Sequence, residues 1–166
     1  MTNTLIVMGI SGTGKSTLGR ALAKHLSWEF IEGDDYHPQI NIEKMRNGTP
    51  LTDIDRWPWL DAMHQAIADS QQQKQSAVVT CSALKLSYRE RLVQSLTGIE
   101  FVYLCGDPEM ILARMAQREN HFMPAGLLDS QIAAMEPPED AIFIPIDLGT
   151  DEQVDAVVQQ LNSARY

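Results

Sequence analysis

The chain lacks several things, and each absence excludes a class of protein. No apolar run approaches the roughly 20 residues needed to cross a membrane as a helix, so no membrane partner is expected. Cysteine is scarce: of 166 residues only Cys81 and Cys105 are cysteines, without CxxC spacing. That argues against a disulfide-stapled scaffold and for two small buried hydrophobes in a reducing compartment. Basic residues are outnumbered, 13 against 22 acidic, for a formal charge of −9. A phosphate-backbone binder normally presents a basic face, so nucleic acid is not an expected partner. The four histidines, His25, His37, His64 and His121, lack metal-ligand spacing, and no transition-metal site is expected. His25 and His64 fall in helical stretches and read as surface residues. The opening Met1-Thr2-Asn3-Thr4 has no basic n-region, which predicts a cytoplasmic protein. Repeats, low-complexity tracts and linkers are missing too, so residues 1–166 read as a single domain.

What is present is sharper. Residues Gly9-Ile10-Ser11-Gly12-Thr13-Gly14-Lys15-Ser16 have the spacing GxxxxGK[ST], and Thr17 follows. The apolar run Leu5-Ile6-Val7-Met8 precedes them and a helical period, Leu18, Leu22, Leu26, comes after. This is the strand–loop–helix context of a phosphate-binding P-loop. Glycines let the backbone curl so that successive N–H groups face anionic oxygens. Lys15 would reach the β- and γ-phosphates and the Ser16 hydroxyl would ligate Mg²⁺. Nucleoside triphosphate binding follows.

Five apolar runs, Thr4–Gly9, Trp28–Ile31, Ala77–Cys81, Glu100–Leu104 and Ala141–Ile146, read as strands. Most are nearly continuous rather than alternating, as in strands covered on both faces. Helical patterns lie between them. Leu60, Met63 and Ile67 form a stripe after Pro58, and Asp107-Pro108 reads as an N-cap with proline in the first turn. Thr150 and Gln153 have capping-box spacing ahead of Val154, Val157, Val158 and Leu161. The expected architecture is α/β: a three-layer P-loop NTPase fold on a mainly parallel five-stranded sheet.

Such sheets gather ligands at the carboxyl ends of their strands. After the second strand come Glu32, Asp34 and Asp35, in Glu32-Gly33-Asp34-Asp35-Tyr36-His37-Pro38. Phosphoryl transfer to an alcohol needs a carboxylate within hydrogen-bond reach of the attacking hydroxyl. Asp34 is the candidate, with Glu32 supporting Mg²⁺ through water. The third strand ends without a Walker-B aspartate, and Ser82, Lys85, Tyr88 and Arg89 follow at the same rim. Arg114 and Arg118 share one helix face beyond the fourth strand. An arginine on a mobile segment there would stabilise transition-state charge. The segment Asn41–Leu60 reads as a loop-rich acceptor flap, in which Lys44 or Arg56 would suit an anionic substrate. Trp57 and Trp59 read as core. On these residues alone the acceptor stays open among small polyols, sugar acids, shikimate-like acids and nucleotides. A switch GTPase would need an NKxD-type guanine motif, which the sequence lacks.

The strings GISGTGKST, FIEGDDYHP, NIEKMRNGTPLTDIDRWPWL, CSALKLSYRERL and ILARMAQRENHFMPAGLLDSQ, in this order, resemble bacterial gluconate kinases. These are small P-loop kinases similar in structure to shikimate and adenylate kinases. The resemblance covers nearly the whole chain. It implies ATP-dependent phosphorylation of D-gluconate at the 6-hydroxyl, in a cytoplasmic homodimer using Mg²⁺. It implies catalytic roles for Lys15, Asp34 and Arg118. It implies ATP contacts from Gly9, Ser11, Gly12, Thr13, Gly14, Lys15, Ser16, Thr17, Arg114 and Arg118, with Arg114 at the adenine. Substrate contacts would come from Asp34, His37, Lys44, Arg56, Ser82, Lys85, Arg89 and His121, with Arg56 at the carboxylate. Ser16 and Glu32 would serve the metal. A substrate flap would span about 36–60 and a lid about 118–128, and Asp147–Thr150 would flank the adenine.

Overall fold

The structure, a computed structural model, describes residues 2–116 and 125–164. Five strands, β1 (Thr4–Met8), β2 (Glu29–Glu32), β3 (Ala77–Thr80), β4 (Ile99–Cys105) and β5 (Ile142–Pro145), form one sheet. All pairings are parallel, in the order β2-β3-β1-β4-β5. Central β1 pairs Ile6 with Val79 on one side and Phe101 on the other. Every residue of β1 and β3 is buried, as the unbroken apolar runs require of strands covered on both faces. Edge strand β5 alternates instead, with Ile142 and Ile144 inward and Phe143 outward.

The helices are α1 (Lys15–Leu26), α2 (Gln39–Arg46), α3 (Asp53–Gln72), α4 (Leu86–Val93), α5 (Pro108–Ala116), α6 (Ala125–Ala134) and α7 (Thr150–Ser163). Helices α1 and α7 pack on each other, as do α3 and α4. Leu18 and Leu22 bury the inward face of α1, while Leu60, Met63 and Ile67 do the same for α3. Strands β2 and β3 lie on one side of β1 and β4 and β5 on the other. The winding therefore reverses at β1, and its carboxyl end opens into the crevice where α/β sheets bind ligands.

Two local expectations are corrected. The stretch 41–60 is mostly helical, because α3 begins ahead of Pro58. Thr52 and Asp55 form a reciprocal capping box that starts it. Pro58 has no N–H to donate to the carbonyl of Ile54, and Ile54 is 77% exposed, so the unbonded carbonyl lies on the solvent side of the helix. At α7 the N-cap is Gly149 rather than Thr150, and no side chain caps it. Gln153 is buried and donates to the Pro145 carbonyl at 3.0 Å, tying α7 to the end of β5. The Asp107 cap forms as read, accepting from the Met110 amide at 2.8 Å. His25 is exposed as expected, whereas His64 is half-buried, its Nδ1 2.9 Å from the Leu92 carbonyl across the α3–α4 contact.

Candidate active site

The loop from Gly9 to Gly14 leaves β1 and turns into α1. Gly12 (φ +85°) and Gly14 (φ +95°) hold the left-handed conformations that the curl demands, and Gly14 is the N-cap of α1. Buried Thr13 braces the loop from inside, its hydroxyl donating to the Ile10 carbonyl at 2.7 Å. Lys15 lies back along the loop, with Nζ 3.0 Å from the Gly9 carbonyl and 3.2 Å from that of Ile10. The Ser11 amide donates at 2.9 Å to Oε1 of Gln131, from α6.

A cavity of about 750 Å³ opens beside this loop. Ser11, Gly12, Gly14, Lys15 and Ser16 line its phosphate end; Asp34, His37, Arg56 and Ser82 line the rest. Asp34 sits on a single 3₁₀ turn, Gly33–Tyr36, that directly follows β2. Two bonds hold that turn. The Gly33 amide donates to Thr80 Oγ1 at 3.0 Å, and the Trp59 indole donates to the Gly33 carbonyl at 2.8 Å. A Cβ on Gly33 would lie 1.9 Å from the Thr80 carbonyl, so only glycine permits this close approach. Burial pushes the Asp34 carboxyl above the usual aspartate range, against the opposing pull of the Lys15 ammonium. Glu32 and Asp35 add to the upward push.

His37 stacks on Trp59 with ring centroids 4.1 Å apart. Burial, helped by the Arg56 cation, lowers its pKa to about 4 and keeps the ring neutral. The amide nitrogen of Asn41, already donating to the Asp55 carbonyl at 2.9 Å, lies 3.3 Å from His37 Nδ1. Nδ1 therefore accepts and Nε2 carries the proton, which makes His37 a neutral donor on the cavity wall.

The structure gives several sequence-predicted residues other positions. Glu32 does not line the cavity; Thr80 Oγ1 donates to it at 2.6 Å and Arg20 stands 3.8 Å away. Arg89 is buried, donating to the carbonyls of Ala83 (2.7 Å), Leu84 (3.2 Å) and Glu136 (2.9 Å). It is a clamp between the β3–α4 connection and the end of α6. Lys44 pairs with Asp55 at 2.9 Å and Lys85 with Asp53 at 3.1 Å, both off the cavity wall. Asp53 also accepts from the Tyr88 hydroxyl, which in turn accepts from Arg56 at 3.0 Å. Gly9, Thr13 and Thr17 stand outside the lining as well. Arg114 donates to the Ile146 carbonyl, with its guanidinium beside Gly14 at the opposite end of the loop from Lys15 Nζ. Arg118 and His121, with most of the expected lid, lie outside the described residues.

Sequence reasoning overlooked two residues here and read a third, Trp59, as core alone. Arg46, at the last turn of α2, lines the cavity and makes no hydrogen bond or ion pair among the described residues. In sequence it looks like one more exposed charge at a helix end. Gln131 and Trp59 act through contacts 120 and 26 positions away, which no local pattern encodes. A cation finds hard oxygen donors in the Ser16 hydroxyl and the carboxylates of Asp34 and Asp35, all on the cavity wall. Among the described residues no group of three His, Cys, Asp or Glu forms a self-sufficient metal site. A Mg²⁺ there would complete its shell with phosphate oxygens and water, as is usual for this ion.

A family model described as an AAA domain matches residues 5–138. A gluconokinase of Gluconobacter oxydans is 46% identical over 157 residues, covering 95% of this chain and 88% of its own. The chain is an AAA-domain protein of the gluconokinase family. A crystal structure of a gluconokinase from Sinorhizobium meliloti superposes with a TM-score of 0.88 at 40% identity, covering 98% of this chain and 93% of that one. An unliganded sugar kinase from Janibacter gives a TM-score of 0.92 at 38% identity, over 98% and 95%. The five-stranded parallel P-loop kinase fold is thus shared with the gluconokinase family along almost the whole chain.

Proposed function

We propose that this site transfers the γ-phosphoryl group of ATP to the 6-hydroxyl of D-gluconate, giving 6-phospho-D-gluconate and ADP. The observation that carries the reading is one cavity whose wall holds both the P-loop with Lys15 and the carboxylate of Asp34. The family's sugar-acid kinases supply the acceptor.

Loop amides and Lys15 hold the β- and γ-phosphates, and the amino end of α1 adds its positive dipole. Asp34 orients the 6-hydroxyl and takes its proton as the O6–Pγ bond forms and the bond from Pγ to the β-phosphate oxygen breaks. Its raised pKa brings it closer to the strength a general base needs. Ser16 and Asp34 would hold Mg²⁺, which would supply neutralisation of the phosphate charge. Of the basic residues read as carboxylate partners, Arg56 is the one lining the cavity, and Arg46 joins it. His37 Nε2–H donates to a substrate hydroxyl. Arg114 flanks the adenine end, while the roles of Arg118 and His121 rest on family resemblance alone. Positioning and preorganised charge account for most of the rate gain, because the transition state is loose.

The same resemblance supports a single kinase domain over 1–166, a homodimer and a cytoplasmic location. Among the described residues no helix is long and apolar enough to cross a membrane. Product analysis by ³¹P NMR tests the reaction. A phosphomonoester on carbon 6, formed one-for-one with ADP, supports it; inorganic phosphate alone overturns it.

A further inference from the structure

We propose that Gln131 reads the γ-phosphate: its carboxamide, bonded to the Ser11 amide at the β/γ end of the P-loop, turns when ATP binds to donate to the γ-phosphoryl group. This rests on ATP being the phosphoryl donor.

A P-loop amide ordinarily faces an anionic oxygen, and at Ser11 that place is taken by Gln131 Oε1 at 2.9 Å. The end of the loop concerned is identifiable. Lys15 Nζ rests on the carbonyls of Gly9 and Ile10, next to Ser11, and a P-loop lysine serves the β- and γ-phosphates. Arg114 marks the other end, beside Gly14.

The backbone that carries Gln131 is held in place. Just beyond α6, the Glu136 amide donates to the Leu84 carbonyl at 2.8 Å and the Leu86 amide to Glu136 Oε1 at 3.0 Å. Arg89 closes the latch at 2.9 Å, and Leu127 and Leu128 bury the inner face of the helix. With the helix so anchored, the response open to Gln131 is rotation of its amide group. A carboxamide carries one acceptor and two donor hydrogens. When a phosphate oxygen takes over the Ser11 amide, rotation presents Nε2–H to the same anion without adding charge. A carboxylate at this position offers acceptors only, and repels the phosphate.

The test uses the full chain with Mg²⁺ and calorimetric titration of ADP and of a non-hydrolysable ATP analogue, together with steady-state kinetics. Q131E is expected to weaken the analogue by about tenfold or more, the scale of a lost charge-assisted hydrogen bond, and to weaken ADP far less. Q131M, similar in length but without donor or acceptor, is expected to lower kcat by about tenfold and leave the KM for gluconate unchanged. Equal effects of Q131E on both nucleotides, or a wild-type kcat in Q131M, overturn the proposal while leaving the kinase reading intact. A wild-type chain that binds neither nucleotide overturns both. Unchanged melting temperatures show that the variants are folded.

Discussion

Trp59 donates its indole N–H to the carbonyl of Gly33 at 2.8 Å, one residue ahead of Asp34. Trp59 is 2% exposed and one face of its ring carries the His37 ring, so one side chain positions two parts of the cavity wall. Trp59→Phe removes the donor and leaves a carbonyl without its partner, a cost of about 1–3 kcal/mol. Stability in urea should fall by that amount. The turn carrying Asp34 loosens, and kcat should drop about tenfold or more, since small misplacements of reacting groups are expensive. Titration calorimetry should find ATP affinity unchanged.

Asp34→Asn separates catalysis from stability. Burial raises the folded-state pKa of Asp34 above its unfolded value. Its contribution to stability is therefore fully present below the unfolded pKa and is lost as pH rises through the folded one. At neutral pH the neutral amide should raise the melting temperature while most turnover disappears and ATP binding persists. Wild-type activity should decline on acidification at a pH above the ordinary aspartate value of 3.8. A variant with full turnover contradicts the assignment of the base.

His37 gives the opposite pH signature. Its folded pKa of about 4 lies below the unfolded 6.5. The unfolded chain binds the proton first, so stability falls as pH drops from 6.5 towards 4. The single-site contribution over that window is about 3 kcal/mol, at 1.36 kcal/mol per pKa unit. His37→Gln removes it, and the melting-temperature difference between wild type and variant should shrink as the pH falls.

Arg46 and Arg56 both line the cavity, and on the proposed reading they share the acceptor's negative charge. Arg46 has no other partner among the described residues, whereas Arg56 also donates to the Leu51 carbonyl at 2.7 Å and to Tyr88. Arg46→Gln should raise the KM for gluconate by about tenfold, the scale of a charge-assisted bond, with kcat and the KM for ATP unchanged. Arg56→Gln should raise the same KM and also lower the melting temperature. Steady-state kinetics with a melt of each variant distinguishes them.

Strand runs, P-loop and Asp107 cap were legible because each is a local pattern with a local cause: burial on both faces, backbone curl, an orphan amide. Asp34 was legible because strand order puts it at the carboxyl edge of the sheet. The stretch 41–60 was not, because Pro58 and its polar neighbours mask a helix that starts from the Thr52–Asp55 box. Arg89 misled for a different reason. Its place at the rim beyond the third strand suggests a substrate contact, yet its guanidinium is taken up by carbonyls of two segments joined only in the folded chain. Glu32 likewise turns to Thr80, a partner on the adjacent strand that sequence spacing does not reveal.

Acceptor-stimulated ADP release, followed in a coupled assay with ATP and Mg²⁺, tests the central claim most directly. Adding D-gluconate should raise the rate well above the slow background, and Lys15→Ala should abolish the increase. A background rate that gluconate leaves unchanged would contradict the account.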